Sequence, residues 1–295
     1  MLIRRRDGEL LLFRQVDHGA LAGEIVDLWG NDRFAEPKPL DAVRTAATYH
    51  DEGWRSPDSK LLYNEAEARP LSFSEIDQHD HIPLYKRGVD EVLRHDTYAG
   101  LLVSTHWTGL YRGRWGLQPM PINWATSGRT PIEQLQDEAV TEQEHRWVDI
   151  KRELVADGFR SEFEANLWHN FDLLQAWDLL SIYVCMNVHT PAPDGDQPQL
   201  LGLTLRSLDQ EPGARIIPNV PTAVGGERVE LVLRAVEPGV VAVDPYPFRP
   251  DEVELSVEAT AIPDRRYADA DDARAAVGSG EKANVTCRMI RAQVG

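Results

Sequence analysis

His50 and Asp51 are neighbours in the chain, and neighbouring ligands of this kind reach one cation together only where the backbone leaves helical geometry. Glu52-Gly53 follows at once and supplies that break. The dipeptide alone is a weak signal, because His79-Asp80 and His95-Asp96 repeat it. Its order relative to two helical segments sets the first pair apart. An upstream amphipathic segment carries His18, and a downstream apolar segment, Leu174-Gln-Ala-Trp-Asp-Leu-Leu-Ser181, carries Asp178. An ionised carboxylate in an apolar helix needs a cation or several donors. A site of imidazoles and carboxylates suits Fe, Mn, Co, Ni or Zn.

The other histidines divide by setting. His106 lies in the apolar run Tyr98 to Tyr111 and is read either as a ligand or as a neutral imidazole bonded to a backbone carbonyl. His81 competes with His79, both just ahead of Ile82-Pro-Leu. His18 itself, beside Asp17, has a solvated surface position as its alternative. His95 abuts Asp96 at a helix end and reads as a cap or surface residue; His145 and His189 read as exposed. His169 precedes Asp178 by roughly two and a half helical turns and is expected to face away from it. Trp107, Trp115 and Trp124 interleave with Tyr111, Arg112 and Arg114, a set that fits either a lid over an anionic substrate or a packed loop with solvated arginines.

The elements that must position these residues follow from periodicity. Two short strands, Leu2 to Arg5 and Glu9 to Arg14, flank the turn pair Asp7-Gly8. Helices fit 15–29 and 41–51; residues 55–77 read as an irregular loop; helical patterns return at 82–94, 98–111, 131–157 and 161–188, the last with an apolar stripe lasting several turns. A long loop spans 117–130. A turn-rich connector, Thr190-Pro-Ala-Pro-Asp-Gly-Asp-Gln-Pro198, precedes strand candidates at 200–205, 215–217, 229–236, 240–243, 253–259 and 285–290. The expected fold is a mostly α, helical bundle with a small antiparallel β subdomain at the C-terminus, which the N-terminal hairpin can join. The expected division is hairpin 1–14, helical metal-binding domain 15–190 and β-rich subdomain 191–295.

Composition bounds the rest. The 295 residues suffice for a large core, and 42% hydrophobic with 27% charged residues excludes a disordered or collagen-like chain. A net charge of −17 argues against general nucleic-acid binding and against anionic membranes. The two cysteines, Cys185 and Cys287, suit a reducing compartment and leave no thiolate zinc cluster. With no long apolar span and no cleavable leader, a cytoplasmic protein is expected. There is no P-loop, no GxGxxG after a strand and no GxSxG elbow.

The order His18, His50-Asp51, Asp178 resembles the HD-domain superfamily of metal-dependent phosphohydrolases over roughly residues 15 to 188. The resemblance implies a divalent metal held by these four residues. His81 and His106 fall where the dinuclear members carry two further histidines, which implies a second ion held by them and bridged by Asp51, also the catalytic group. Many members carry a Lys just after the His-Asp-x-Gly turn, where this chain has Trp54. The strings Tyr49-His-Asp-Glu-Gly-Trp54, Tyr98-Ala-Gly-Leu-Leu-Val-Ser-Thr-His106 and Asp244-Pro-Tyr-Pro-Phe248 resemble an uncharacterised family of microbial proteins across nearly the whole chain. The expected function is hydrolysis of a small phosphate ester or nucleotide at a dinuclear Fe or Mn site, with Zn, Co or Ni as other candidates. Trp54, Tyr111 and Arg112 are the expected contacts to a small anionic substrate. The alternatives are an HD-type mixed-valent di-iron oxygenase acting on a small polar substrate, and a non-catalytic binding or assembly module whose β segment forms a homodimer.

Overall fold

The computed structural model of the chain describes residues 1–113, 130–155, 158–186, 206–208 and 211–293. Asp7 and Gly8 take positive φ angles of 49° and 84°, as a two-residue turn between right-twisted strands demands. They join β1 (Leu2–Arg6) to β2 (Glu9–Phe13). Helices α1 (Gln15–Leu28) and α2 (Leu40–Tyr49) follow. Residues 55–77, expected to be irregular, contain a short helix α3 (Arg55–Lys60), a two-residue ladder between β3 (Tyr63–Asn64) and β4 (Arg69–Pro70), and a 3-10 turn at Phe73–Glu75. Helix α4 (Gln78–His95) begins earlier than the apolar pattern suggests because the Asp77 side chain accepts the His79 amide and caps it. Asp96 does the same for α5 (Thr97–Tyr111) through Ala99. Helix α6 (Pro131–Leu154) starts on a Thr130/Glu133 capping box, and α7 (Arg160–Met186) is buried on nearly all sides from Leu167 onward.

The remaining chain is β5 (Arg206–Leu208), β6 (Glu211–Pro221), β7 (Arg228–Glu237), β8 (Val240–Asp244), β9 (Glu252–Pro263), α8 (Ala270–Ser279) and β10 (Glu281–Arg291). Together with the first two strands these form one sheet of eight, ordered β1-β2-β9-β10-β8-β7-β6-β5. All neighbours are antiparallel except β8 and β10, which run parallel. Along β9 and β10 exposed and buried residues alternate, with Val253, Leu255, Val257, Val285, Cys287 and Met289 on the covered face. Helix α7 packs on β6, β1, β9 and β10, and α1 packs on β9, α2 and α7.

The expectation of a mostly helical bundle with a small antiparallel subdomain is therefore corrected. The fold is mixed α and β, and its large sheet draws strands from both the N-terminal and the C-terminal parts of the chain. Periodicity missed this because the β2–β9 pairing is non-local, and because β6, β9 and β10 run for 11, 12 and 11 residues, longer than their apolar alternation. The connector at 190–198, the strand at 200–205, His189, Arg114, Trp115 and Trp124 lie outside the described residues. No described helix is long and apolar enough to cross a membrane.

The helical layer and the sheet meet at Trp29, fully buried and edge-on to Phe34, Trp177 and Phe248 at centroid distances of 5.5, 5.8 and 6.0 Å. The Asp244–Phe248 string has a structural task here. Asn31 Nδ2 donates to the carbonyls of Tyr246 and Phe248, and the Gly30 amide donates to Pro247 O, which anchors the end of α1 on the sheet.

Candidate metal centre

Helix α1 carries His18 into the core, and it comes unusually close to α2. A Cβ on Gly19 would stand 2.8 Å from Thr48 O, and one on Gly23 would stand 2.1 Å from Thr48 Oγ1. Only glycine permits that approach, which brings His18 beside His50 with ring centroids 4.9 Å apart. Helix α2 ends at Tyr49. His50 is its C-cap, and Asp51, at φ −109° and ψ 25°, has left the helix before the 3-10 turn Glu52–Trp54. The break lets both side chains point to one place. Helix α4 lies on this turn through a second glycine contact: a Cβ on Gly88 would come within 2.7 Å of Gly53 N, and one on Gly53 within 2.3 Å of Leu84 O. His106 arrives from α5 and Asp178 from α7.

Five side chains thus converge, and each is 5% exposed or less. His18 Nε2 lies 3.4 Å from Asp178 Oδ1 and 3.6 Å from Asp51 Oδ2; His50 Nε2 lies 3.5 Å from Asp178 Oδ1; His106 Nε2 lies 3.8 Å from Asp178 Oδ2. Two triads, His18/His50/Asp51 and His50/His106/Asp178, each keep their ligand atoms within 4.8 Å of one another. Ligands about 2.1 Å from a common ion stand about 3.0 Å apart in an octahedron and about 3.4 Å in a tetrahedron, so these spacings are close to those of a coordination shell.

The tautomers follow from the outer contacts. His18 Nδ1 lies 2.6 Å from Gln15 O and His50 Nδ1 2.7 Å from Ala47 O. A carbonyl only accepts, so both Nδ1 atoms carry hydrogen and both Nε2 atoms face the cluster. His50 Nε2 is buried without a hydrogen-bond partner, an orphan that an ion would satisfy. The Gln175 amide lies 2.7 Å from His106 Nδ1 while its Oε1 lacks a partner; turning the amide over gives Oε1 an Nδ1–H donor and leaves His106 Nε2 toward Asp178. Asp51 is held at both oxygens, accepting from Gln15 Nε2 at 3.1 Å and from the Tyr85 hydroxyl at 3.0 Å.

Electrostatics agree with a site built for a cation. Burial, helped by the charge on His50, lowers His18 to about 3. Burial opposes a charge on His50 as well, but the carboxylates of Asp51 and Asp178 outweigh it and hold this ring up at about 9. Burial also lifts Asp51 to about 6. A proton on His50 thus offsets the two carboxylates.

The other expected residues are placed differently. His81 is half-buried and belongs to neither triad; its Nδ1 lies 2.6 Å from the Tyr111 hydroxyl, and its ring abuts Tyr85 and Trp54 at 4.6 and 5.8 Å. His79, its rival, is exposed. Trp54 is fully buried, edge-on to Phe73 and His81. Tyr111 and Arg112 are half-buried at the end of α5, where Arg112 Nη1 pairs with Asp137 at 2.7 Å. His95 is exposed and stacked on Tyr49, His145 is exposed, and His169 lies outside both triads. Sequence reasoning missed the outer partners Gln15, Tyr85 and Gln175. Gln15 and Gln175 each stand three residues before a ligand, on the same helix face, and that spacing was the available signal.

The chain belongs to the family described as Protein of unknown function (DUF3891), whose model matches residues 1–264. No curated protein and no solved structure matches it.

Proposed function

We propose that this DUF3891 member is an HD-type metal-dependent phosphohydrolase acting on a small phosphate ester or nucleotide. The supporting observation is the convergence of His18, His50, Asp51, His106 and Asp178, buried and spaced as a coordination shell, with the outer ring nitrogens tied back. The family match offers no substrate, so the reaction class rests on the donor set and its order along the chain.

The geometry favours one ion where the sequence suggested two. His50 has a single free nitrogen, because Ala47 O engages the other, so the two triads that share it describe one shell. A second ion would need donors beyond it, and His81 belongs to neither triad. When bound, a divalent ion of this kind supplies a Lewis acid for a phosphoryl oxygen and lowers the pKa of water. Asp51, fixed by Gln15 and Tyr85, is the proposed catalytic carboxylate, able to accept a proton at a defined position. Tyr111 and Arg112 are the proposed contacts to the substrate anion, and buried Trp54 forms a wall behind His81.

Elemental analysis of the isolated protein, paired with phosphate release from a panel of phosphate esters and nucleotides under added Mn, Co or Ni, tests the reading. About one ion per chain with metal-dependent phosphate release supports it. Two irons per chain with a spectrum that changes on exposure to O₂ would instead favour the di-iron oxygenase. No metal bound or taken up would favour a binding or assembly module.

A further inference from the structure

A groove of about 840 Å³ opens between the start of α2, the first turns of α7 and the turn after β6. Its walls are mostly apolar, from Pro39, Tyr98, Phe159, Phe163 and Val224, and His169 also lines it. Two observations single it out. Phe159 is 81% exposed and Val224 44% exposed, so two of the five large apolar side chains left in solvent among the described residues flank one concavity. His169 is only 6% exposed, yet neither ring nitrogen has a hydrogen-bond partner. A buried imidazole left in that state costs stability, and both atoms are shielded from bulk water. Among the residues lining the groove, His169 is the one with buried side-chain nitrogens left unpartnered.

We propose that this groove is a second binding site, for a small uncharged molecule with an apolar ring system and one hydroxyl group, anchored on His169. The volume falls in the range of small-molecule sites. A neutral imidazole offers one donor and one acceptor, which is what a hydroxyl can use in either direction. Burial holds His169 near pKa 4, so it stays neutral at ordinary pH. The nearby cation Arg228 is committed to Asp172 and the lining Glu36 to Arg249, and the remaining charges in the lining, Lys38 and Glu162, have opposite signs. A charged ligand would therefore enter the groove without a buried counter-ion. His169 precedes Asp178 by about 13 Å along the axis of α7, so this site and the metal reading stand or fall separately.

Titration of the full chain with 2-naphthol, followed by amide NMR, tests the proposal. Saturable shifts are expected at residues 35–39, 159–169 and 223–224, with weaker binding of 2-naphthoate. His169→Phe keeps a ring but removes both nitrogens, and should weaken 2-naphthol about threefold to tenfold. Phe159→Ser, at an exposed position that does not threaten the fold, should weaken it as well. Absence of saturable shifts at those residues, affinity unchanged in Phe159→Ser or in a folded His169→Phe, or 2-naphthoate binding as tightly as 2-naphthol would each overturn it.

Discussion

The Asp178 carboxylate meets the His50 ring at 3.5 Å, Oδ1 to Nε2, and so joins the core helix α7 to the break at the end of α2. The same oxygen lies 3.4 Å from His18 Nε2. Asp178 is the group that all three rings share, and without a metal ion the protonated His50 offsets its charge and that of Asp51.

Asp178→Asn should cost stability both without and with metal. In chelator the protonated His50 loses one of the two carboxylates that offset it, so the variant should be less stable than the wild type. With Mn²⁺ or Co²⁺ at about one hundred times its Kd, the wild type should gain about 2.7 kcal/mol, a Tm rise of roughly 5 to 10 °C, and the variant little or none. Thermal melts with and without chelator, alongside elemental analysis, check this. Equal metal-induced shifts in both proteins would remove Asp178 from the shell.

Gln175 touches no proposed ion but sets the orientation of the His106 ring at 2.7 Å. Gln175→Leu should lower metal affinity about tenfold to hundredfold while leaving the circular dichroism spectrum unchanged. Competition against a chromophoric chelator measures it, and affinity within about twofold of wild type would mean that Gln175 is packing alone.

Gly23→Ala should destabilise the protein by about 1–3 kcal/mol, since the new Cβ would fall 2.1 Å from Thr48 Oγ1. It should also weaken metal binding by pushing His18 away from His50. Adding Thr48→Ala removes the offending oxygen and should restore part of both losses, giving a coupling energy of about 0.5–3 kcal/mol. Strictly additive denaturation data would contradict this account of the helix contact.

His169 predicts a pH dependence whose sign is fixed. Burial lowers its pKa from 6.5 to about 4, so between these values the unfolded chain binds a proton that the folded one does not. Its contribution is thus present above pH 6.5 and is lost progressively as the pH falls toward 4. The difference in unfolding free energy between wild type and His169→Gln should shift in favour of the variant across that window and stay level from pH 7 to 8. Parallel curves from pH 8 to 4 would show that His169 is already protonated or already paired in the native state.

How legible this was depended on the range over which each residue acts. The His50-Asp51 break, the apolar surroundings of Asp178 and the turn at Asp7-Gly8 are local, and the chain states them within a few positions. The closeness of α1 to α2 was written in Gly19, Gly23 and Thr48, but it is a steric fact between helices that no single-segment pattern displays. His81 was harder still. Its place depends on Tyr111 holding one nitrogen across the gap between α4 and α5, and spacing alone does not distinguish such a partner from an ion. The sheet was least legible, because alternation marks strands without naming their neighbours.

The pairing of β2 with β9 sets a timetable for synthesis. At about 5–20 residues per second, the ribosome needs roughly 12 to 50 seconds after making Leu10, Leu11, Leu12 and Phe13 before it delivers Glu252–Pro263, the strand that borders them. A lone two-stranded hairpin is marginal in water, so through that interval this greasy stretch waits without its lattice partner, and a nascent chain halted before residue 252 has nothing with which to complete it.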